Sequence, residues 1–308
     1  MEADPLVALS RRISQLVSER APHVVRVEGR RRGPGSGVVW SADGLVLTAH
    51  HVVERDEELE VGLPSGESAA AELVGRDPTT DLALLRIRAG GLAAAPWSDE
   101  VPAAGDLVLA LTRPGRSPRV SLGTIARTAG EFRCDGGGRV DRWIEASLDL
   151  APGLSGSLVL GASGAPVGVA SAGVVRGAVL VVPPATLRRV VGSLLAHGAV
   201  RRGFLGVTTL PVRLPTAAAG RAGQPGGLLV SAVEEGSPAD RAGLLLGDAL
   251  LALGGAPVTH AGDLLPLLEE ERIGQPLPIR LLRAGEVREL TVTVGVRGER
   301  SSPGGRRP

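Results

Sequence analysis

The sequence has 308 residues, 43% of them hydrophobic and 22% charged, so it is long enough for two domains with buried cores. Its formal net charge of +1 at pH 7 gives no broad basic field, which argues against nucleic acid as a partner. A single cysteine, Cys134, excludes an intramolecular disulfide.

Residues 1–21 are predicted to form a lead-in helix, because Leu6, Leu9, Ile13 and Leu16 recur at helical spacing. Charged residues interrupt this segment, so it has no apolar core of signal-peptide length. No later stretch reaches about 18 uncharged apolar residues, and no membrane segment is expected. The protein as written is therefore expected in the cytoplasm. A misassigned start site that hides a signal sequence would instead make it periplasmic or otherwise extracytoplasmic.

Residues 22–200 carry the pattern of an all-β domain. Short β-type runs follow one another without intervening helices, which predicts a barrel or sandwich. These runs are HVVRVEG, GVVWS, GLVLTA, LEVGLP, AELVGRD, LALLRI, LVLALT and RWIEASL. The segment PPATLRRVVGSLLAHG then predicts a closing helix that two prolines begin and Gly198 ends. Its apolar stripe consists of Leu187, Val190, Val191, Leu194 and Leu195.

Residues 203–296 are predicted to form a smaller α+β unit. The strand-like runs LLVSAV, ALLALGG, PIRLLR and RELTVTV accompany helices predicted at SPADRAGL and HAGDLLPLLEEER. The pair Ala284-Gly285 stands in the position of a hairpin turn. Residues 297–308 are polar, basic and rich in Gly and Pro, which predicts disorder.

Three separate segments supply the residue types of a serine-protease triad in the order His, Asp, Ser. His51 lies in TAHHVVE, Asp81 in RDPTTDLALL and Ser155 in PGLSGS. A serine hydroxyl becomes a nucleophile when an imidazole takes its proton and a buried carboxylate orients that imidazole. The chemistry also needs donors for the oxyanion. The backbone N–H groups of Gly153 and Ser155 are the candidates, in a tight glycine-containing turn.

The sequence resembles the HtrA/Deg family of trypsin-like serine proteases that carry a PDZ domain. The resemblance rests on GSGVVWSADGLVLTAHHVVE, VGRDPTTDLALLRI, VSLGTIA and LAPGLSGS, and it extends over nearly the whole chain. It implies a chymotrypsin-like double β-barrel followed by a small α+β PDZ domain. In the family motifs the catalytic histidine directly precedes paired valines, which selects His51 over His50. The aspartate follows the second threonine, which selects Asp81 over Asp77.

The serine motif departs from the family pattern at three positions. The family usually has Asn or Asp before the serine and Gly-Gly-Pro after it, whereas this chain has Leu154 before Ser155 and Gly156, Ser157 and Leu158 after it. The segment LTRPGRSPRV also replaces the usual Gly-Asn-Pro pattern. We expect catalysis to survive with a relaxed oxyanion turn. The rival interpretation is a catalytically inactive protease fold that acts as a peptide-binding or chaperone-like scaffold.

The resemblance implies that Leu150, Ala172 and Gly173 line the primary specificity pocket. A preference for Lys or Arg needs a carboxylate at the pocket base. Asp149 is the nearest acid, but it neighbours a wall residue. Cleavage is therefore expected after small or medium apolar residues such as Val, Ala or Leu.

The run Phe204-Leu205-Gly206-Val207 resembles the carboxylate-binding loop of PDZ domains. In such a loop the backbone N–H groups of Leu205, Gly206 and Val207 would bind the C-terminus of a peptide that adds as a strand. The helix predicted near His260 would form the other wall of the groove. Its expected contributors are Leu264, Leu265 and Leu268.

The expected partners are peptides. By resemblance the substrates are unfolded or damaged proteins, as in protein quality control, and the PDZ groove takes C-terminal peptides. No Walker-type phosphate loop occurs, so proteolysis is expected to be independent of ATP. His23, His197 and His260 show no metal-ligand spacing, and no metal or cofactor is predicted. Family members often form trimers through aromatic residues near the N-terminus, but the first aromatic here is Trp40. Either the lead-in helix replaces these contacts or the protein is not a trimer.

Overall fold

The computed structural model describes residues 4–31, 33–134 and 137–296. The chain divides into two compact units, Met1–Val200 and Arg201–Pro308. The basic tail predicted to be disordered, residues 297–308, lies outside the described residues.

Helix α1 spans Pro5–Arg20, and Asp4 caps its first turn by accepting a hydrogen bond from the Leu6 amide. The predicted apolar stripe packs only through its second half. Leu16 is buried, whereas Leu6 is 75% exposed. The Arg20 guanidinium also donates a hydrogen bond to the Gly164 carbonyl.

Six strands form a closed antiparallel barrel in the order β1-β2-β3-β6-β5-β4. The strands are β1 (Val24–Glu28), β2 (Gly35–Val39), β3 (Leu45–Ala49), β4 (Leu59–Gly62), β5 (Ser68–Asp77) and β6 (Leu82–Ile87). Valine and leucine side chains fill the interior of this barrel. In small barrels the inward-facing side chains of the strands fill the interior in this way. Asp43-Gly44 makes the turn between β2 and β3, where Gly44 has a φ of 104°.

A second closed barrel follows, in the order β11-β14-β13-β12-β7-β8. Its strands are β7 (Leu107–Thr112), β8 (Arg119–Ala129), β11 (Trp143–Ser147), β12 (Leu158–Leu160), β13 (Pro166–Ser171) and β14 (Val179–Val182), and a separate pair is formed by β9 (Phe132–Arg133) and β10 (Arg139–Val140). The two barrels confirm the chymotrypsin-like architecture that the resemblance implies.

An apolar cluster between the two barrels contains residues of both barrels, together with Leu16 of α1. Helix α2 (Pro184–His197) contributes Leu187, Val190, Val191 and Leu194 to this cluster and ends at Gly198, whose φ is 71°. Leu195 is exposed, so its predicted place in the apolar stripe is wrong.

The second unit contains a six-stranded antiparallel sheet. Five of its strands are neighbours in the order β16-β17-β18-β20-β21, and β19 pairs with β18. The strands β15 and β22 form a separate pair. The elements are β15 (Gly203–Phe204), β16 (Val207–Arg213), α3 (Thr216–Ala222), β17 (Gly226–Val233), α4 (Pro238–Arg241), β18 (Ala249–Leu253), β19 (Ala256–Pro257), β20 (Pro276–Arg283), β21 (Glu286–Thr293) and β22 (Gly295–Val296). Ala284 and Gly285 both have positive φ and join β20 to β21, as a two-residue hairpin requires.

The segment HAGDLLPLLEEER, predicted as one helix, is helical in two separate pieces. The structure has two 3₁₀ helices there, Ala261–Leu268 and Glu270–Arg272. Pro266 lies inside the first, and a proline removes a backbone donor that an α-helix needs.

Candidate active site

His51 lies in a 3₁₀ turn, His50–Val52, that follows β3 directly. Its backbone N–H donates to Asp81 Oδ1 at 3.0 Å, and its ring Nδ1 lies 2.8 Å from Asp81 Oδ2. The carboxylate therefore fixes both the backbone and the ring of His51. A proton on Nδ1 leaves Nε2 as the basic nitrogen, which is the tautomer that a general base requires.

Asp81 is 3% exposed and lies in the turn between β5 and β6 with a φ of 55°. Asp and Asn tolerate this left-handed region better than most residues. Earlier in the turn, Asp77 accepts hydrogen bonds from the hydroxyls of Thr79 and Thr80. Asp77 thus organises the turn, while Asp81 contacts the histidine.

Two residues of the second barrel complete the surroundings of the His51–Asp81 pair. The Ser171 hydroxyl donates to Asp81 Oδ2 through a short hydrogen bond. Gly173 lies against both partners, because an added Cβ would be 2.6 Å from Asp81 Oδ2 and 2.7 Å from His51 Nδ1. A side chain at position 173 would therefore displace the pair.

Ser155 follows a tight turn formed by residues 151–154. The Leu154 N–H donates to the Ala151 carbonyl at 3.1 Å, and Gly153 has a φ of 90°. A proline followed by a glycine with positive φ is the arrangement of a type II turn. Within the described residues, the N–H groups of Gly153 and Ser155 donate to no other group. Both remain available to an oxyanion.

The segment Ser171–Gly173 brings the nucleophile and the base together. The Ala172 N–H donates to Ser155 Oγ at 3.2 Å, while Ser171 and Gly173 contact the His51–Asp81 pair. Among the described residues, Ser155 Oγ and His51 are not hydrogen-bonded to each other. Catalytic hydrogen bonds often tighten only when substrate is bound, so this geometry is compatible with a general-base role for His51.

His50 has a different environment from His51. Its backbone N–H donates to the Asp81 carbonyl at 3.0 Å, but its buried ring Nδ1 has no hydrogen-bond partner among the described residues. Burial lowers the pKa of His50, and the nearby charge of Arg76 lowers it further. The lowered pKa favours the neutral ring, and among the described residues no hydrogen bond joins this ring to the Asp81 carboxylate.

The unusual residues around Ser155 have buried side chains. Leu154 packs in the interior of the second barrel, and Leu158 packs in the cluster between the barrels. The Ser157 hydroxyl is buried and has no hydrogen-bond partner in the part of the chain that the structure describes. Gly156 has a φ of 82° and no room for a side chain.

The expected pocket residues fall into two groups. Ala172 and Gly173 lie beside Ser155 and His51, as described above. The side chain of Leu150 is 56% exposed. Asp149 is also exposed, so its carboxylate does not lie at a buried pocket base.

The candidate peptide-binding loop of the second unit is a tight bend before β16. Leu205 is buried, and its carbonyl accepts from the Ala239 N–H at 2.8 Å. Gly206 has a φ of 82°, and an added Cβ would lie 2.2 Å from Ser237 Cβ. Val207 begins β16, which in the described part of the chain pairs only with β17 and so has an open edge.

The opposite wall is the 3₁₀ helix that begins after His260. Of the three leucines expected to face the groove, Leu264 is buried, Leu268 packs partly into the core and Leu265 is 38% exposed. Asp263 accepts backbone hydrogen bonds from Thr259 and His260, which lowers its pKa.

Sequence reasoning missed three polar groups near Ser155: the hydroxyls of Ser36 and Ser171 and the buried Arg113. Each acts through a tertiary contact with a distant segment. Their only sequence signals are the GSG run, a serine in an apolar strand, and the altered LTRPGRSPRV segment.

Comparison with known families gives two matches. A model described as a trypsin-like peptidase domain matches residues 35–169, and one described as a PDZ domain matches residues 203–294. None of the helices in the described residues is long and apolar enough to cross a membrane.

Two curated relatives are named as probable periplasmic DegP-like serine endoproteases. The one from Ectopseudomonas mendocina is 34% identical over 269 residues, covering 85% of this chain and 56% of the relative. The one from Chlamydia trachomatis is 33% identical, covering 84% and 53%. The chain thus spans about half the length of these relatives. Their names give no support to the expected cytoplasmic location.

Solved structures extend the similarity over nearly whole chains. A serine endoprotease from Yersinia pestis is 29% identical with a TM-score of 0.74, covering 92% of this chain and 97% of its own. The HtrA-type protease AlgW, solved with a tripeptide, is 30% identical with a TM-score of 0.70 and the same coverage.

Proposed function

Because the chain belongs to the HtrA family of trypsin-like serine proteases with a PDZ domain, we propose that it is an ATP-independent serine endopeptidase. Its substrates are unfolded or damaged proteins. The observation that carries the proposal is the arrangement around Ser155. The Ala172 N–H donates to the Ser155 hydroxyl, and the adjacent Gly173 lies against the His51–Asp81 pair. Among the described residues, the N–H groups of Gly153 and Ser155 donate to no other group. The names of the relatives favour an active protease over an inactive scaffold.

In the proposed mechanism, Ser155 Oγ turns from the Ala172 N–H towards His51 Nε2 and attacks the peptide carbonyl. His51 takes the hydroxyl proton, and Asp81 stabilises the resulting imidazolium. The N–H groups of Gly153 and Ser155 bind the oxyanion. His51 then gives its proton to the leaving amine, and a water molecule, activated by the same imidazole, releases the acyl group from Ser155.

We propose that the bond cleaved follows a small or medium apolar residue. The residues expected to line the pocket, Leu150, Ala172 and Gly173, are uncharged. The carboxylate of Asp149 is exposed and does not lie at a buried pocket base. One methylene changes discrimination by about 1–3 kcal/mol, so several apolar residues should be accepted. Mass spectrometry of casein fragments tests this preference. A dominant cut after Arg or Lys would contradict it.

The PDZ domain is proposed to bind peptide C-termini through Leu205, Gly206 and Val207. A peptide would add to the open edge of β16. Calorimetry on the Ser155→Ala protein, with a library-selected apolar peptide as free acid and as amide, tests this role. The amide should bind at least about tenfold more weakly, because charge-assisted hydrogen bonds contribute about 1.5–3 kcal/mol each. Equal affinities would exclude carboxylate binding.

We further propose a periplasmic or other extracytoplasmic location, on the basis of the relatives' names. A homotrimer is proposed from the family resemblance. The exposed Leu6 and Leu9 on the first turns of α1 could provide its contacts. Light scattering of the wild type and of a Leu6→Glu variant would test both the trimer and this surface.

An active-site label tests the catalytic proposal directly. A fluorophosphonate probe should label the wild type but not Ser155→Ala, and only the wild type should degrade casein. Absence of labelling and cleavage in the folded wild type would favour the scaffold interpretation.

A further inference from the structure

Ser36 of β2 is fully buried and lies against the turn that carries Ser155. Its N–H donates to the Ser155 carbonyl at 3.4 Å. Its own carbonyl is so close to Gly156 that an added Cβ there would lie 2.0 Å away. The backbone of Ser36 thus contacts the nucleophile turn on both sides of the serine.

The Ser36 hydroxyl makes a directional link between two loops. It accepts a hydrogen bond from the backbone N–H of Arg113 at 2.9 Å and donates to the Gly153 carbonyl at 2.7 Å. An amide N–H can only donate and a carbonyl can only accept. The direction of both bonds is therefore fixed, and the hydroxyl proton points to Gly153.

Arg113 is itself held firmly. Its buried guanidinium donates to the carbonyls of Val24 at 2.7 Å, Ala21 at 3.0 Å and Arg116 at 2.7 Å. The next residue, Pro114, lies against Gly153, since an added Cβ at Gly153 would be 2.8 Å from Pro114 Cβ. The loop that departs from the family pattern therefore supports the turn directly and through Ser36.

Gly153 needs such support because of its role. A glycine with a φ of 90° has no side chain to restrict rotation about its backbone bonds. Its N–H is a proposed oxyanion donor, and such donors act because they are oriented before the reaction. A hydrogen bond to its carbonyl limits the orientations available to the residue.

We propose that Ser36 is a positioning residue of the oxyanion hole: its hydroxyl, oriented by Arg113, holds Gly153 with the N–H directed at the oxyanion. The inference rests on the proposed protease function. It assigns to Ser36 no contact with substrate.

The test uses the full chain with Ser36→Ala and Ser36→Cys. The thiol fills the space of the hydroxyl but is a weak donor. Removing a whole oxyanion donor lowers kcat by about 10²–10³-fold, so loosening one should lower it by about tenfold. The KM for a peptide substrate should change less than about twofold. The affinity for a peptide boronic acid, whose tetrahedral adduct occupies the oxyanion hole, should fall with kcat.

Thr48→Val is the matched control. Thr48 is equally buried and donates to the Ser36 carbonyl at 2.7 Å, but its hydroxyl is not bonded to Gly153. It should lower the melting temperature about as much as Ser36→Ala while kcat stays near the wild-type value.

Wild-type kcat and boronate affinity in both Ser36 variants would overturn the inference, as would an equal loss of kcat in Thr48→Val. A folded wild type that neither reacts with fluorophosphonate nor cleaves peptides would overturn the proposed function and this inference with it. An active wild type separates the two outcomes.

Discussion

Replacing Asp81 by asparagine tests the triad with little change to the fold. Asn tolerates the left-handed conformation that Asp81 adopts, with its φ of 55°. It also has nearly the same shape as Asp. The melting temperature should therefore stay close to that of the wild type, so a loss of activity would report on chemistry.

The hydrogen bonds around Asp81 predict how the amide orients. The His51 backbone N–H, 3.0 Å from Oδ1, can only donate, so the amide oxygen should occupy the Oδ1 position. The amide nitrogen then takes the place of Oδ2, the atom 2.8 Å from His51 Nδ1 and bonded by Ser171. A donor there favours an unprotonated Nδ1 and moves the ring proton to Nε2, where it blocks the base.

Two effects therefore add in Asp81→Asn: the wrong tautomer of His51 and the loss of the negative charge that stabilises its imidazolium. In trypsin-type proteases this change lowers kcat about 10⁴-fold, and we expect the same order of magnitude here. The assay is turnover of a fluorogenic peptide at saturation, with thermal unfolding measured in parallel.

Asp77→Asn is the control, because Asp77 has the same 3% exposure and lies in the same turn but binds Thr79 and Thr80. It should lower stability and leave kcat within several-fold of the wild type. Retention of more than a tenth of the wild-type kcat in Asp81→Asn, or an equal loss in Asp77→Asn, would refute the assignment.

Three further substitutions test other features of the structure. Burial and the charge of Arg76 lower the pKa of His50 in the folded protein. The unfolded state therefore binds more protons than the folded state as the pH falls below about 6.5, and stability decreases there. The melting temperature of His50→Gln should fall less than that of the wild type between pH 7.5 and 5.5, and the variant should still cleave casein. Ser157→Ala removes a buried hydroxyl that has no partner among the described residues, so it should raise the free energy of unfolding in urea by about 1–2 kcal/mol. A decrease would show that the hydroxyl is satisfied. Gly206→Ala should abolish peptide binding in calorimetry because its Cβ has no room, while Gly236→Ala, with a φ of 70° and open space around it, should bind normally.

The sequence predicted most of the β-structure but not all of it. The eight predicted runs correspond to β1–β7 and β11. The strands β12 (Leu158–Leu160), β13 (Pro166–Ser171) and β14 (Val179–Val182) are short and fully buried, and β13 begins with proline and contains a glycine. Such runs show no alternation between polar and apolar residues, so periodicity does not reveal them.

The site was predictable where a local motif surrounds each residue and unpredictable where a distant segment contributes. His51, Asp81 and Ser155 each lie in a recognisable run. Ser36 and Ser171 contribute single hydroxyls whose partners are 117 and 90 residues away. No local pattern specifies such contacts, because they depend on the packing of the two barrels.

The rival scaffold interpretation depends on the residues that depart from the family pattern around Ser155. All three departures have buried side chains: Leu154 lies inside the second barrel and Leu158 between the barrels, and the Ser157 hydroxyl has no partner within the described ranges. The groups proposed to do the chemistry are the Ser155 hydroxyl and backbone N–H groups, which these side chains do not replace. The departures should therefore change the stability of the turn more than its reactivity. Such a turn needs support from elsewhere in the fold, and the Ser36 hydroxyl provides a hydrogen bond of that kind.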